Sequence, residues 1–230
     1  MLRKINRDNE RNGYQLSWST LRQEWPIWLL LLGALIAGII TYPHLPDQVP
    51  SHWNFKGEVD AYSSREFGAF MLPLINIGMY LMMLFLPLID PKRDNYARFA
   101  GAYRFLRCAL AIFMTAIYAI TILSALGYQI NTGLVVKAFV ALLFMLIGNF
   151  MGQMRHNYFV GIKNPWTLAN EEVWQATHRF SGKLWVIGGL ITLLLAPVQA
   201  LWGVYLFFTV IVILVVLPMV YSYLLFRRLS

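Results

Sequence analysis

Long uncharged apolar runs separated by short charged clusters dominate the chain, and their lengths limit what they can be. Crossing ~30 Å of hydrocarbon at ~1.5 Å per helical residue takes about 20 residues. Trp25 to Tyr42, Phe67 to Ile89, Cys108 to Tyr128 and Ala138 to Met154 approach that length with no charge inside. The last run, Leu184 to Phe226, is roughly twice a membrane's core and must fold back. Pro197, Gln199 and Gly203 near its middle supply the helix breaker, polar group and flexible backbone of a tight turn. The pattern predicts an all-α polytopic membrane bundle of six transmembrane helices. Pro73 and Pro87 inside the second run predict a kink, with neighbouring helices satisfying the freed carbonyls.

Two connections are richer than a bundle needs. The first, residues 43–66, contains LPDQVPSHWNFKGEVD, where Pro46 and Pro50 favour extended backbone and Asn54 to Gly57 fits a type I turn. A short β-hairpin, His52-Trp53 facing Val59-Asp60, is the expected outcome. The second, residues 153–183, contains NYFVGIKNPWTL and NEEVWQATHRFSGK. Gly161 and Asn164-Pro165 require a structured turn, and Asn170 is a candidate N-cap with Glu171 and Glu172 meeting the helix dipole. Val173, Thr177, Phe180 and Leu184 then recur at helical spacing, predicting an interfacial helix that runs into the fifth span, with Gly182 as a bend.

Charge orients the spans. Sixteen of the nineteen Lys and Arg residues precede span one, lie between spans two and three or four and five, or end the chain. Lys56, Arg65 and Lys137 alone fall on the opposite face. Positive charge is retained on the cytoplasmic side, so both termini are expected inside, in a bacterial cytoplasmic (inner) membrane. The first run starts only at Trp25 and closes without a small-x-small site, so it is expected to stay as a signal anchor. Residues 1–24 read as a cytoplasmic basic tail. Residues 25–100 form a first region holding spans one and two, and residues 101–230 a second holding spans three to six.

Composition agrees with this reading. Of 230 residues 58% are hydrophobic and 13% charged, with a mean hydropathy of +0.55, outside the balance of soluble domains. The net charge of +8 sits in clusters beside apolar runs, which suits anionic lipid and topology rather than nucleic acid. One cysteine, Cys108, excludes an intramolecular disulfide.

Candidate chemistry is sparse. His44 and His52 fall outside, His156 and His178 inside, so no metal site is expected; His52 with Asp60 is the best remaining pair. No nucleophile–base pair presents itself, and neither a cofactor nor catalysis is expected. His52, Asn54, Gly57, Glu58 and Asp60 are candidate outer-loop binding residues in a net-negative loop that would draw a cationic or amphipathic visitor. The competing reading is a solvated cap with Trp53 as interfacial anchor. Asn157, Gly161, Lys163, Pro165, Trp166, Thr167, Glu172, Trp174, Thr177 and His178 are candidates in the inner loop, against the alternative of an aromatic belt with capping residues. Asn76, Lys137 and Asn149 are polar groups at membrane depth, which keep a small-solute or lipid-handling transporter open as a second reading.

The segment LPDQVPSHWNFKGEVD resembles the domain of unknown function DUF1648, and GNFMGQMRHNYFVGIKNPWTLANEEVWQATHRFSGK resembles the signature of the SdpI family. The resemblance implies a multi-span protein that protects a cell from a secreted membrane-active peptide toxin and relays its presence by holding a cytoplasmic repressor at the membrane. Asn157, Gly161, Pro165, Trp166, Thr167, Trp174, Thr177, His178 and Gly182 match the family pattern. Lys163-Asn164 stands where that pattern has Arg-Thr, which keeps the charge but loses a planar bidentate fork.

Overall fold

The computed structural model describes residues 14, 16–54, 57–198 and 200–230. A short helix α1 (Trp18–Gln23), capped by the Ser17 side chain, leads into α2 (Trp25–Thr41), which has a proline in its first turn. A 3-10 turn, Tyr42–His44, feeds an antiparallel hairpin of β1 (Gln48–Trp53) and β2 (Val59–Ser64). Helices α3 (Arg65–Ile89), α4 (Arg93–Arg98), α5 (Ala100–Ala125), α6 (Thr132–Met151), α7 (Pro165–Ala169), α8 (Glu171–Leu195) and α9 (Leu201–Leu229) follow.

The long helices form two packed groups. Helices α2, α3 and α5 pack on one another, α8 packs between α6 and α9, and contact between α5 and α6 joins the groups. Five helical segments are long and apolar enough to cross a membrane: Trp25–His44, Arg65–Ile89, Ala100–Ala125, Thr132–Met151 and Leu201–Leu229. Their outer faces leave side chains such as Leu29, Ile40, Leu74, Phe85, Phe208 and Val212 exposed, as lipid-facing surfaces must be.

Three prolines lie inside these helices, Pro73 and Pro87 in α3 and Pro218 in α9. Each lacks the N–H that would bond the carbonyl four residues earlier. Each freed carbonyl accepts from an aromatic side chain of a neighbouring helix. Tyr118 Oη donates to Ala69 O at 3.0 Å, Tyr103 Oη donates to Met83 O, and Trp185 Nε1 donates to Leu214 O at 3.2 Å.

Several boundaries differ from the sequence expectations. Helix α5 starts at Ala100 rather than Cys108, because Arg104 and Arg107 find partners that keep charge in its first turns. Helix α6 starts at Thr132 rather than Ala138, since the Asn131 side chain caps it by accepting from Leu134 N–H at 3.0 Å. Lys137 therefore lies in its second turn. Gly182 makes no bend: α8 runs unbroken through it. Gly182 instead packs tightly against α6, for a Cβ there would lie 2.7 Å from the Gly148 carbonyl, and one on Gly148 would lie 2.8 Å from that of Gly182. The turn near Pro197 separates α8 from α9, with Gly203 inside α9; Gln199 lies outside the described residues.

Candidate functional site

The hairpin covers one end of the bundle. Gly57 N–H donates to Asn54 O and Asn54 N–H to Glu58 O, both at 2.9 Å, closing the tip with Gly57 at φ +84°. The two side chains repeat the link: Asn54 Nδ2 donates to Glu58 Oε2 at 3.0 Å, and Asn54 Oδ1 accepts from Glu58 N–H at 3.1 Å. A Cβ on Gly57 would lie 2.9 Å from Gly133 N, so the tip rests on the start of α6. The register pairs His52 with Ala61 and Trp53 with Val59, with irregularities on both sides of His52. Trp53 faces Val59 as expected, while His52 faces Ala61, one place past the expected Asp60; its Nδ1 still lies 2.5 Å from Asp60 Oδ1, both side chains exposed. Arg65 pairs with Asp47 at 2.5 Å.

Beneath the hairpin, at the junction of the two helical groups, lies a cavity of about 830 Å³. Its walls include His52, Asn54, Asp60 and Lys137. Asn76 is buried in α3 and donates to Ala111 O and Thr115 Oγ1, both at 3.0 Å, stitching α3 to α5. Asn149, expected to be buried, is exposed at the other end of α6, beside Arg179 and Lys183 in a surface groove. Asn76, Lys137 and Asn149 therefore line no common path.

The opposite end is closed by residues 152–181, folded into a knot around two buried polar side chains. Asn157 is fully buried: its Oδ1 accepts from Phe159 N–H at 3.0 Å and Val160 N–H at 2.7 Å, while Nδ2 donates to Arg155 O and Val160 O, both at 2.9 Å. Tyr96 Oη bridges Asn157 to the buried carboxylate of Asp90, which also accepts from Tyr158 N–H at 2.9 Å. Burial, reinforced by Asp90, pushes the Tyr96 hydroxyl far above its usual range.

His178 is the second centre. Its Nδ1–H donates to Trp174 O at 2.8 Å and its Nε2 accepts from Ile162 N–H at 2.9 Å, so both nitrogens are engaged only by the neutral ring. Burial pushes its pKa down to about 4. Burial, helped by Lys92, also lowers that of His156. The His178 ring stacks on Trp174 at 4.2 Å, and Trp174 Nε1 donates to Met154 O at 3.0 Å. Gly161, at φ +124°, lies against both rings, and a Cβ there would overlap His178 Nε2.

Asn164 caps α7 in a reciprocal box with Thr167, and its Nδ2 reaches Ser222 Oγ of α9 at 2.8 Å. Trp166 packs on Tyr223 of α9 at 5.1 Å. Of the residues expected to line a site at this end, Asn157, Thr167, Trp174, Thr177 and His178 are interior groups, whereas Lys163, Pro165 and Glu172 are exposed. Folding the segment satisfies much of its own backbone, and that engages Asn157, Asn164, Thr167, Trp174 and His178.

The sequence reading also missed a buried ion pair. Arg107 of α5 donates to the Glu24 carboxylate, which accepts from Tyr80 Oη as well, and all three side chains are buried. The Tyr103 ring lies 5.0 Å from the guanidinium. The sequence pattern places Glu24 at the end of the basic tail and Arg107 in the charged link between spans two and three. Glu24 interrupts the sequence immediately before an apolar run, which was the available signal, but nothing local pairs residues 83 positions apart. Among the described residues no three His, Cys, Asp or Glu side chains gather as a metal site would require.

The apolar helices with lipid-ready faces define a multi-pass α-helical membrane protein, closed at one end by a hairpin and at the other by a hydrogen-bonded knot. Residues 153–222 match the SdpI/YfhL protein family, and residues 29–77 match a domain of unknown function, DUF1648. Immunity protein SdpI of Bacillus subtilis (strain 168) is 27% identical over 189 residues, 82% of this chain and 86% of that protein. These matches bear out the resemblance to the SdpI family. The first covers much of the knot together with α8 and most of α9, and the second covers most of α2, the hairpin and half of α3. No solved structure matches the chain.

Proposed function

We propose that this protein is a non-catalytic immunity and signal-reception protein of the bacterial cytoplasmic membrane. A secreted membrane-active peptide toxin meets the hairpin end, and the knot end relays its presence to, or docks, a cytoplasmic repressor. The observation that carries the reading is the similarity to Immunity protein SdpI, which runs through both specialised ends and not through apolar helices alone.

The reading takes six spans with both termini inside. Supporting the sixth, α8 lies antiparallel along α6, with Gly182 against Gly148 and Gly189 against Ala141, so its apolar half from Leu184 crosses whatever α6 crosses. Supporting the orientation, the knot end holds Arg155, Lys163, Arg179 and Lys183, while the hairpin end is acidic. Of the three residues behind the transporter reading, Asn76 bonds to α5 and Asn149 faces outward, which leaves it Lys137 alone.

Expression in a toxin-sensitive bacterium is the test. Survival under secreted peptide toxin should rise with the wild-type chain and fall back with His52→Ala or Asp60→Asn. If no candidate peptide is resisted, and neither substitution changes survival, the proposal fails.

A further inference from the structure

The cavity beneath the hairpin has chemistry of its own. Its roof includes Ser51, His52 and Trp53 of β1; its walls come from α5, α6 and α9, among them Val140 and Phe207. At about 830 Å³ it falls within the ~300–1,000 Å³ typical of ligand sites.

Two features select the occupant. Side chains alternate faces along a regular strand, but the register irregularities on both sides of His52 break that alternation, and Ser51, His52 and Trp53 line the space in succession, so β1 borders the cavity along this stretch. The sheet has two strands among the described residues, which leaves one edge of β1 without a partner strand. The second feature is charge. Asp60 is paired with His52, whereas Lys137, half-buried in the wall, has no ion pair among the described residues. Lys137 is thus the group in this largely apolar space that an entering carboxylate would meet.

We propose that the cavity binds an apolar peptide segment in extended form, its backbone adding to the free edge of β1 and a carboxylate resting on Lys137. The proposal deepens the immunity reading and rests on it for the biological source of the peptide. A lipid would use the apolar walls and the cation but not the strand edge, which is why a peptide is the favoured occupant.

The test uses the full-length protein in phosphatidylcholine nanodiscs. The probe is a peptide of four Val-Thr repeats with a fluorescent label on its N-terminal amine, as free acid and as C-terminal amide, read by anisotropy. The free acid should bind about tenfold more tightly than the amide, the worth of one charge-assisted hydrogen bond. Lys137→Gln should erase that difference and leave the amide unchanged, and Val140→Trp should weaken both forms by filling the wall. If Val140→Trp fails to elute as a monodisperse species, Lys137→Gln decides alone.

No binding of either form, equal binding of the two, or an unchanged ratio in Lys137→Gln overturns the proposal. Myristate displacing the free acid as well as the unlabelled peptide does would make the site a lipid site and overturn it too. The immunity reading fails separately: nanodisc binding with the expected ratio but no protection in cells removes immunity and leaves the cavity. Full protection by Lys137→Gln together with Val140→Trp removes the cavity and leaves immunity.

Discussion

Each proline inside a span exposes one carbonyl, and in hydrocarbon that carbonyl has no water to turn to. Tyr118, Tyr103 and Trp185 answer the three in turn, so these aromatic residues hold helices together by hydrogen bonds and not by bulk alone. Gly38 of α2 makes room at the first of these points, since a Cβ there would lie 2.7 Å from Ala69 O and 2.9 Å from Tyr118 Oη. Tyr118→Phe keeps the ring and removes the donor, and it should cost about 1–2 kcal/mol, read as lowered thermal stability in detergent with helicity unchanged. Gly161→Ala should cost more, because a left-handed φ and the His178 ring oppose the new methyl together. A fall in yield of folded protein, rescued in part by His178→Ala, is the expected outcome. His178 also sets a pH dependence. Its pKa is about 4 when folded against 6.5 ordinarily, so the unfolded chain binds the extra proton between those values. Its stabilisation is therefore whole above pH ~6.5, declines by up to about 1.4 kcal/mol per pH unit as pH falls toward 4, and then levels off. Thermal unfolding at pH 7.5 and 5 should differ accordingly, with a smaller difference in His178→Gln. His156, whose pKa is lowered as well, contributes in the same direction.

At the scale of elements, what was legible in the sequence is what local chemistry dictates. Apolar runs gave the long helices, the Asn54–Gly57 pattern gave the hairpin turn, and Asn170 before Glu171 and Glu172 gave the start of α8, where its side chain accepts from Glu172 N–H at 2.8 Å. Long-range pairing was not legible. A charge ends an uncharged run when read one residue at a time, so the starts of α5 and α6 were set too late, although a helix can carry Arg107 or Lys137 through its first turns. The candidate residues of the knot were legible as a group, but their burial was not, because a folded loop and an open site use the same Asn, Trp and His. The Glu24–Arg107 pair ties the start of α2 to α5, and it is where the two kinds of error meet. Removing one partner strands the other charge in a buried place, so Glu24→Gln should destabilise by about 3–5 kcal/mol. A double variant, Glu24→Gln with Arg107→Met, should recover a large part of that loss. Equal instability of the single and double variants would mean that the pair makes no direct contribution to the join.

For the molecule as a whole, the two helical groups meet through α5 and α6, and each end carries a different specialised cap. Which cap faces which compartment decides every functional assignment, and charge is what chooses. The knot end gathers basic side chains, while the hairpin end sets Asp47, Glu58, Asp60 and Glu66 against few cations. Moving the basic clusters across the bilayer is the costly alternative, so the hairpin should be outside. Cys108, the single cysteine, is partly buried in α5, and Cys108→Ala gives a silent background for labelling. In that background Ala61→Cys, exposed on β2, should react with a membrane-impermeant maleimide in intact cells, whereas Ser230→Cys should react only after permeabilisation. The reverse pattern would put the knot outside, the hairpin could then meet no extracellular peptide, and the relay to a cytoplasmic repressor would have lost its surface. Equal labelling of both sites in intact cells would instead put an odd number of spans out of play only if the cells remained sealed, so release of a cytoplasmic marker enzyme must be followed in the same samples.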